Sequence, residues 1–573
     1  MVTKSVVVRF RGVRAAEGPM TLGQLNAHKW LSWTSTPEYG MQYWRLPTDA
    51  GGFEVADFAE VLGVLLARHE GLRTTFPGGG RQRVVDSGEL DLRVLEWEDG
   101  TDPGALERVL DAVPYDWAVD LPVGAVVAVR SGRVCGAVLR CSHLAADHKA
   151  MVVLGREIEE MLADPAARVV GAPRHQPLDQ AEAEQRPSTR RRAEAALGYW
   201  ADRLRRMPAN PLAAASGPGS GSGSGESRAM EMVSHAGAAA LARIERRTSL
   251  DRSHVVLAAI LSVLAERTGE RDHLFCALSN NRFFDRKLAD HVGTLAASSL
   301  VEVDGRGATF DELGARVRAG VVRASMSAMY DAHRMHAIAE QIEHERGVAF
   351  HYFPPIFNNA AAYTGSHTAP VAHPTPPTEF TWRRMEKTPA PLRFDLWRLD
   401  HVLAMDAWTA DTSRIGRPEV ESTLLAVERL LVAAAEDDLA PREMSGIIGL
   451  PRIERGDDWL FLDSCWVHLP EVQRLLDDAV GPARIVASAD DRPLVAYVAA
   501  TDAVATPEQA HARCMARLAT YPAAMAPRHY VLCHDAPATP HDPMSWQRQQ
   551  VLTEGPGRAT TSPATDRVTV PVG

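Results

Sequence analysis

Two apolar runs, Val123–Val129 and Val134–Cys141, flank the tetrapeptide Arg130-Ser131-Gly132-Arg133. A glycine-bearing gap of that length between two runs rich in valine predicts a β-hairpin. The second run feeds Ser142-His143-Leu144-Ala145-Ala146-Asp147-His148, after which Met151, Val152, Leu154, Ile158 and Met161 recur at helical spacing and predict a helix over 149–162. A polar loop held between a buried strand and a helix restricts the chain to a mixed sheet-and-helix layer architecture. It is also a common setting for chemistry.

The same alternation extends in both directions. A strand is expected over Ser5–Phe10, a helix from the N-cap Thr21 to Trp33, and a second helix over Val55–His69 closed by Gly71 at the C′ position, with a strand starting at Leu72. Further on, a strand at Met230–Ser234, helices at Ala238–Thr248 and Ser253–Thr268, and a strand at Leu274–Ser279 repeat the pattern. Between the two halves, residues 216–227 are nearly all glycine and serine, the composition of a flexible connector. Beyond Pro441 come short strands at Trp459–Leu462, Ala483–Ala487 and Leu494–Ala499 with helices near Glu471–Asp478 and Pro507–Leu518, a separate small α/β unit. The expected fold class is α+β, with lobes at 1–185 and 186–440, a third unit at 455–555 and a disordered tail at 556–573.

Charge and composition exclude several functions. A net charge of −11 argues against nucleic-acid binding as the main activity, and the cluster Arg186, Arg190, Arg191 and Arg192 reads as the solvated start of the helix that carries Tyr199 and Trp200. No apolar run approaches the ~20 residues of a membrane span. Three valines followed by Arg9 are too short for a signal peptide core, so a cytoplasmic location is expected. Six cysteines without CxxC spacing imply reduced thiols, and neither a zinc site nor a disulfide framework.

Within the 142–148 loop, His143 is the group suited to proton transfer at neutral pH, its reference pKa being ~6.5. Taken alone, it is open to three readings: a structural histidine, a metal ligand together with Asp147 and His148, or a catalytic base.

The surrounding motifs resemble the condensation domains of nonribosomal peptide synthetases, of the chloramphenicol acetyltransferase-like superfamily, over roughly 18–438. That family carries a His-His-x-x-x-Asp-Gly loop, matched here by Ser142, His143, Asp147 and His148. The resemblance extends to Gly18-Pro19-Met20-Thr21-Leu22-Gly23-Gln24, Leu72-Arg73-Thr74-Thr75-Phe76, Tyr199-Trp200, Ser279-Asn280-Asn281-Arg282, Val292-Gly293 and Phe394-Asp395-Leu396, in family order. It implies two acetyltransferase-like lobes in a V-shaped pseudo-dimer. It further implies a catalytic His143, a structural Asp147 paired with Arg73, and supporting roles for Ser142 and His148.

The departures are specific. Ser142 stands for the loop's first histidine, His148 for its glycine, and Ala297 for an asparagine after the Val-Gly motif. Residues 455–552 are similar to the C-terminal subdomain of adenylation enzymes. However, Pro543 occupies the position of the lysine that would contact an adenylate, so this unit is read as degenerate and unable to activate amino acids.

The resemblance therefore implies a free-standing condensing acyltransferase of secondary metabolism. Its donor would be tethered to the phosphopantetheine of an acyl or peptidyl carrier protein, its acceptor would be an amine or alcohol, and no cofactor or metal of its own would be needed. A non-catalytic module that recruits a carrier or tailoring enzyme is the alternative. A coenzyme A-dependent acyltransferase is disfavoured because Phe394-Asp395-Leu396-Trp397-Arg398 only partly echoes the Asp-Phe-Gly-Trp-Gly string of such enzymes.

Overall fold

The computed structural model describes residues 2–32, 40–47, 52–98, 101–102, 104–171, 174–210, 212, 226–350, 355–363, 376–385, 392–410, 412, 415–487 and 494–558. Trp33, most of the Gly/Ser-rich stretch and the tail from 559 lie outside them.

The N-terminal lobe is a five-stranded sheet in the order Val2–Arg11, Ser87–Glu96, Val123–Arg130, Arg133–Ser142, Met41–Leu46. All neighbours are antiparallel except the second and third. The expected hairpin is present, turning through Ser131 and Gly132, both at positive φ (52° and 80°), as a two-residue I′-type turn demands. One face is buried under the helices Val55–Arg68 and His148–Ala163, which contribute Phe58, Leu62, Leu65, Met151, Leu154 and Ile158 to a single core. The strand–loop–helix unit is thus anchored on both sides of the loop by buried side chains.

The first half departs from expectation at one turn. The helix Val55–Arg68 is closed by His69 in an extended conformation, and Gly71 lies within a 3₁₀ turn, Glu70–Arg73, so the next strand starts at Thr74. Close packing, not a left-handed cap, accounts for this glycine: a Cβ there would lie 3.2 Å from both the Ala145 and Val292 carbonyl oxygens.

The second lobe is a seven-stranded sheet in the order Ala297–Asp304, Asp272–Ser279, Ile356–Asn359, Leu392–Leu399, Leu403–Thr409, Arg228–Ser234, Glu379–Arg384. Its core faces the helices His235–Thr248, Arg252–Thr268, Phe310–Ser325 and Arg417–Ala434. The alternation along its strands sends Phe394, Leu396, Met405 and Met232 into this core, while the opposite face carries Asp395 and Asp406 at its centre and, towards the strand Ala297–Asp304, Cys276 and Leu300 in a second apolar cluster with Trp200 and Tyr330. The helix Pro187–Leu204 packs Trp200 against Tyr330 on this lobe while Arg190, Arg191 and Arg192 stay exposed.

The third unit is a four-stranded sheet, Ala483–Ala487, Leu494–Ala499, His529–Cys533, Val551–Gly555, backed by the helices Leu469–Ala479 and Pro507–Leu518 with its own core. It is tied to the second lobe through Arg346, which donates to the Leu204 and Met207 carbonyls (2.7 Å each) and to Asp463 Oδ2 (2.8 Å). Among the described residues no helix is long and apolar enough to cross a membrane.

Candidate active site

The strand Arg133–Ser142 hands the chain to a tight loop. The Ala145 and Ala146 amides return to the Ser142 carbonyl (2.9 and 3.1 Å), and the Leu144 amide donates to Ser142 Oγ at 3.3 Å. The serine therefore meets part of the loop's hydrogen-bond demand from a buried position.

His143 is pinned by its backbone. Its N–H donates to the Gly40 carbonyl at 2.7 Å, and its carbonyl accepts the Thr294 hydroxyl from the second lobe. The imidazole is part-buried and meets the edge of Trp30 at 5.2 Å between ring centroids. Burial lowers its pKa below 6.5, against the opposing pull of Asp147 and of its own carbonyl and with help from Arg393. The neutral ring, the form that accepts a proton, is accordingly the resting state at pH 7. Its Nδ1 is enclosed and makes no aligned hydrogen bond among the described residues.

Asp147 does two jobs. As N-cap of the helix His148–Ala163 its Oδ1 accepts the Ala150 amide at 2.9 Å. It also takes the Arg282 guanidinium on both oxygens at 2.8 Å, and its Oδ2 takes the amides of Leu295 (3.0 Å) and Ala296 (3.2 Å). Burial pushes its pKa up, but Arg282 and the amides outweigh burial and hold it below the usual carboxylate range.

Arg282, not the expected Arg73, is therefore the partner of Asp147. Arg73 sits elsewhere under the first lobe, donating to the Arg14 carbonyl at 2.9 Å and to the Val85 carbonyl, with Glu70 at 3.7 Å. The reason is geometric. Arg73 closes a 3₁₀ turn whose side chains fold back on the lobe's own sheet, whereas Arg282 leaves the second lobe's strand Asp272–Ser279 towards the loop. Arg282 was visible in the sequence as the last residue of Ser279-Asn280-Asn281-Arg282, but nothing local marked it as the charge partner.

His148 occupies the first helical position with ordinary negative φ, so the family's glycine is not replaced at a left-handed site. Burial lowers its pKa, offset by Asp147, and the neighbouring His143 and Lys149 lower it further. Two residues escaped the sequence reading. Arg393 acts on His143 from the second lobe, and Glu157 gathers His69, Arg68 and Arg174 behind the loop, its carboxyl held near about 2 despite burial by His69 and the arginines. Among the described residues no group of histidine, cysteine and carboxylate side chains is arranged to hold a metal.

The condensation-domain family model matches residues 48–359, more than half of the chain and the span that holds this loop and Arg282. The chain belongs to the condensation-domain family. A curated relative, "Probable non-canonical nonribosomal peptide synthetase (NRPS) CymA" of Salinispora arenicola (strain CNS-205), is 29% identical over 286 residues, 47% of this chain but only 4% of that protein. The fold is that of solved condensation-type structures. The X-domain from teicoplanin biosynthesis in complex with OxyB superposes with a TM-score of 0.57 at 19% identity, covering 76% of this chain and 97% of that one. The condensation domain described as mediating chain release from the enacyloxin polyketide synthase gives 0.54 at 19% identity, covering 76% and 83%. In this condensation domain the two acetyltransferase-like lobes meet at the His143 loop.

Proposed function

We propose that the chain catalyses acyl transfer from a carrier-tethered phosphopantetheine thioester to an amine or hydroxyl acceptor. The observation that carries this reading is a part-buried imidazole on a loop fixed from both lobes, where burial lowers its pKa. The acceptor nitrogen or oxygen attacks the thioester carbonyl while His143 orients it and takes its proton, the carbon–sulfur bond breaks, and the proton passes to the leaving thiolate. Positioning of two substrates across the lobes and general-base assistance at His143 supply the rate enhancement. The test is His143→Ala assayed by product mass spectrometry with carrier-bound donors beside coenzyme A thioesters. Transfer should fall by about 10²-fold or more, with thermal stability nearly unchanged and carrier-bound donors preferred. Undiminished turnover would sink the catalytic role.

A second reading is supported by the altered loop and by the X-domain likeness: a module that recruits a partner enzyme without itself catalysing transfer. Under that reading the His143→Ala variant keeps partner binding and no transfer is seen with either protein.

The third unit we take to be a degenerate adenylation-type subdomain that helps seat a carrier against the lobes. Pro543, in the position of the missing lysine, starts the short helix Pro543–Gln547 behind the N-cap Asp542. Deletion from Pro451 onward should weaken carrier affinity and leave the two-lobed fold intact. Unchanged affinity would refute the seating role.

A further inference from the structure

Thr294 lies on the segment of the second lobe that faces the His143 loop, and it is almost wholly buried. The backbone around it is held by a dense set of bonds. Asp147 Oδ2 takes the Leu295 and Ala296 amides at 3.0 and 3.2 Å, Arg282 donates to the Gly293 carbonyl at 3.1 Å, and Asn281 Nδ2 donates to the Leu295 carbonyl at 2.9 Å. From the first lobe, Asn26 Nδ2 donates to the Ala296 carbonyl at 3.2 Å and the Thr21 hydroxyl to the Thr294 carbonyl at 3.4 Å. The segment is therefore fixed without help from the Thr294 side chain.

That side chain has a different partner. Its hydroxyl donates to the carbonyl of His143 across the lobe boundary. Valine has nearly the same shape and would fill the space as well, so the bond, and not packing, accounts for a threonine here.

The bond closes a circuit around the imidazole. The helix Leu22–Leu31 seats its first turn on the Thr294 backbone: a Cβ on Gly23 would lie 2.2 Å from the Thr294 carbonyl oxygen, so only glycine lets the two approach this closely. Further along, the same helix carries Trp30, whose ring stands nearly at right angles to the His143 imidazole, with 5.2 Å between centroids and 88° between planes. Thr294 thus holds the carbonyl of His143 while Trp30 meets its ring, and both contacts refer to one helix. The His143 amide already donates to the Gly40 carbonyl, so the backbone of this residue is tied at both ends. Nδ1 is enclosed beside the residue's own carbonyl, which leaves Nε2 as the nitrogen for a substrate proton.

We propose that Thr294 is a positioning residue for His143: its hydroxyl anchors the carbonyl so that the imidazole stands against Trp30 with Nε2 towards the substrates. The kinetic consequence rests on the acyl-transfer reading above; the placement of the ring does not. Placement matters because a shift of about 1 Å at a reacting group can cost on the order of 10²-fold in rate. Thr294 acts through the carbonyl and touches no substrate.

Nuclear magnetic resonance of the full chain, isotope-labelled at histidine Cε1, reads the ring directly. The His143 signal is assigned by its loss in His143→Ala, and the displacement it owes to the Trp30 ring by Trp30→Leu. Thr294→Val should move the signal towards its Trp30→Leu position. Thr294→Ser keeps the donor and should leave the signal where it stands. With a carrier-bound donor and an amine acceptor, Thr294→Val should lose about tenfold or more in kcat with KM little changed, and Thr294→Ser should stay within about threefold of the unaltered protein. A hydroxyl that merely stabilises the fold would lower the melting temperature of Thr294→Val and move neither the signal nor kcat. An unmoved signal, or an unchanged kcat in a protein that does transfer, overturns the proposal. Should Thr294→Val fail to fold, Thr294→Ala is read in the same way, and an unmoved signal there is equally fatal. If the unaltered protein transfers nothing, the acyl-transfer reading falls and the signal alone decides the role of Thr294.

Discussion

Asp147 and Arg282 meet across the lobe boundary as a bidentate ion pair, both arms at 2.8 Å and both side chains almost wholly buried. Arg282 also donates to the His291 and Gly293 carbonyls at 3.1 Å, so one guanidinium ties the His143 loop to the segment that carries Thr294, whose hydroxyl in turn holds the His143 carbonyl. Fork-on-fork geometry makes this a positional restraint as well as an attraction.

Removing one side of a buried pair strands the other charge. Arg282→Ala is therefore expected to cost about 3–5 kcal/mol in urea unfolding, and Arg282→Lys to retain only part of that because lysine cannot span both oxygens. A double-mutant cycle of Arg282→Ala with Asp147→Asn should show strong coupling. The cycle of Arg73→Ala with Asp147→Asn should be additive; the reverse pattern would return Asp147 to Arg73.

Much of the first lobe was legible because its signals are local. The hairpin at Ser131-Gly132, the apolar stripe from Met151 to Met161 and the position of His143 all follow from periodicity and turn chemistry over a few residues. Partners brought from 135 or more residues away were not. Arg282 lies that far from Asp147, and the sequence places Arg73 no less plausibly. Gly71 misled for a related reason. A glycine after a helix ordinarily signals a left-handed cap, and here it answers to the carbonyls of Ala145 and Val292, which only the folded chain brings near.

That close approach makes Gly71 a sensitive probe of the loop. A methyl group 3.2 Å from two carbonyl oxygens must push Ala145 or Val292 aside. Gly71→Ala is expected to lower stability by about 1–2 kcal/mol and to reduce transfer more than the stability loss explains, since Ala145 belongs to the His143 turn. A variant with unaltered melting temperature and rate would show that the loop yields freely.

The pH dependence of transfer follows from the His143 environment. Its pKa lies below 6.5, chiefly through burial, so the base form persists on the acid side of neutrality. The rate should stay level from pH 8 down to about 6.5 and fall only below it. A depressed folded-state histidine pKa also removes stability as pH drops below the unfolded value. Rate profiles should therefore be read beside melting curves, and a rate already halved at pH 7 would contradict the buried, neutral ring.

Glu184 gives a separate and opposite pH signature. It is buried, its Oε2 accepts the Leu22 amide at 2.8 Å at the start of the helix that carries Trp30, and its Oε1 accepts Gln180 at 2.8 Å. Burial pushes its carboxyl up to about 7 against these two bonds. A raised carboxyl pKa means the folded protein binds the proton more tightly than the unfolded chain does. The stabilisation is complete below the unfolded value of ~4.3 and is lost as pH climbs through 7, a swing on the order of 3 kcal/mol. Glu184→Gln keeps an acceptor for the Leu22 amide without the charge, so it should flatten the melting temperature between pH 5 and 8 and leave the variant the more stable protein at pH 8. Identical pH slopes in the two proteins would mean that Glu184 is ionised in the fold at neutral pH, with its charge compensated.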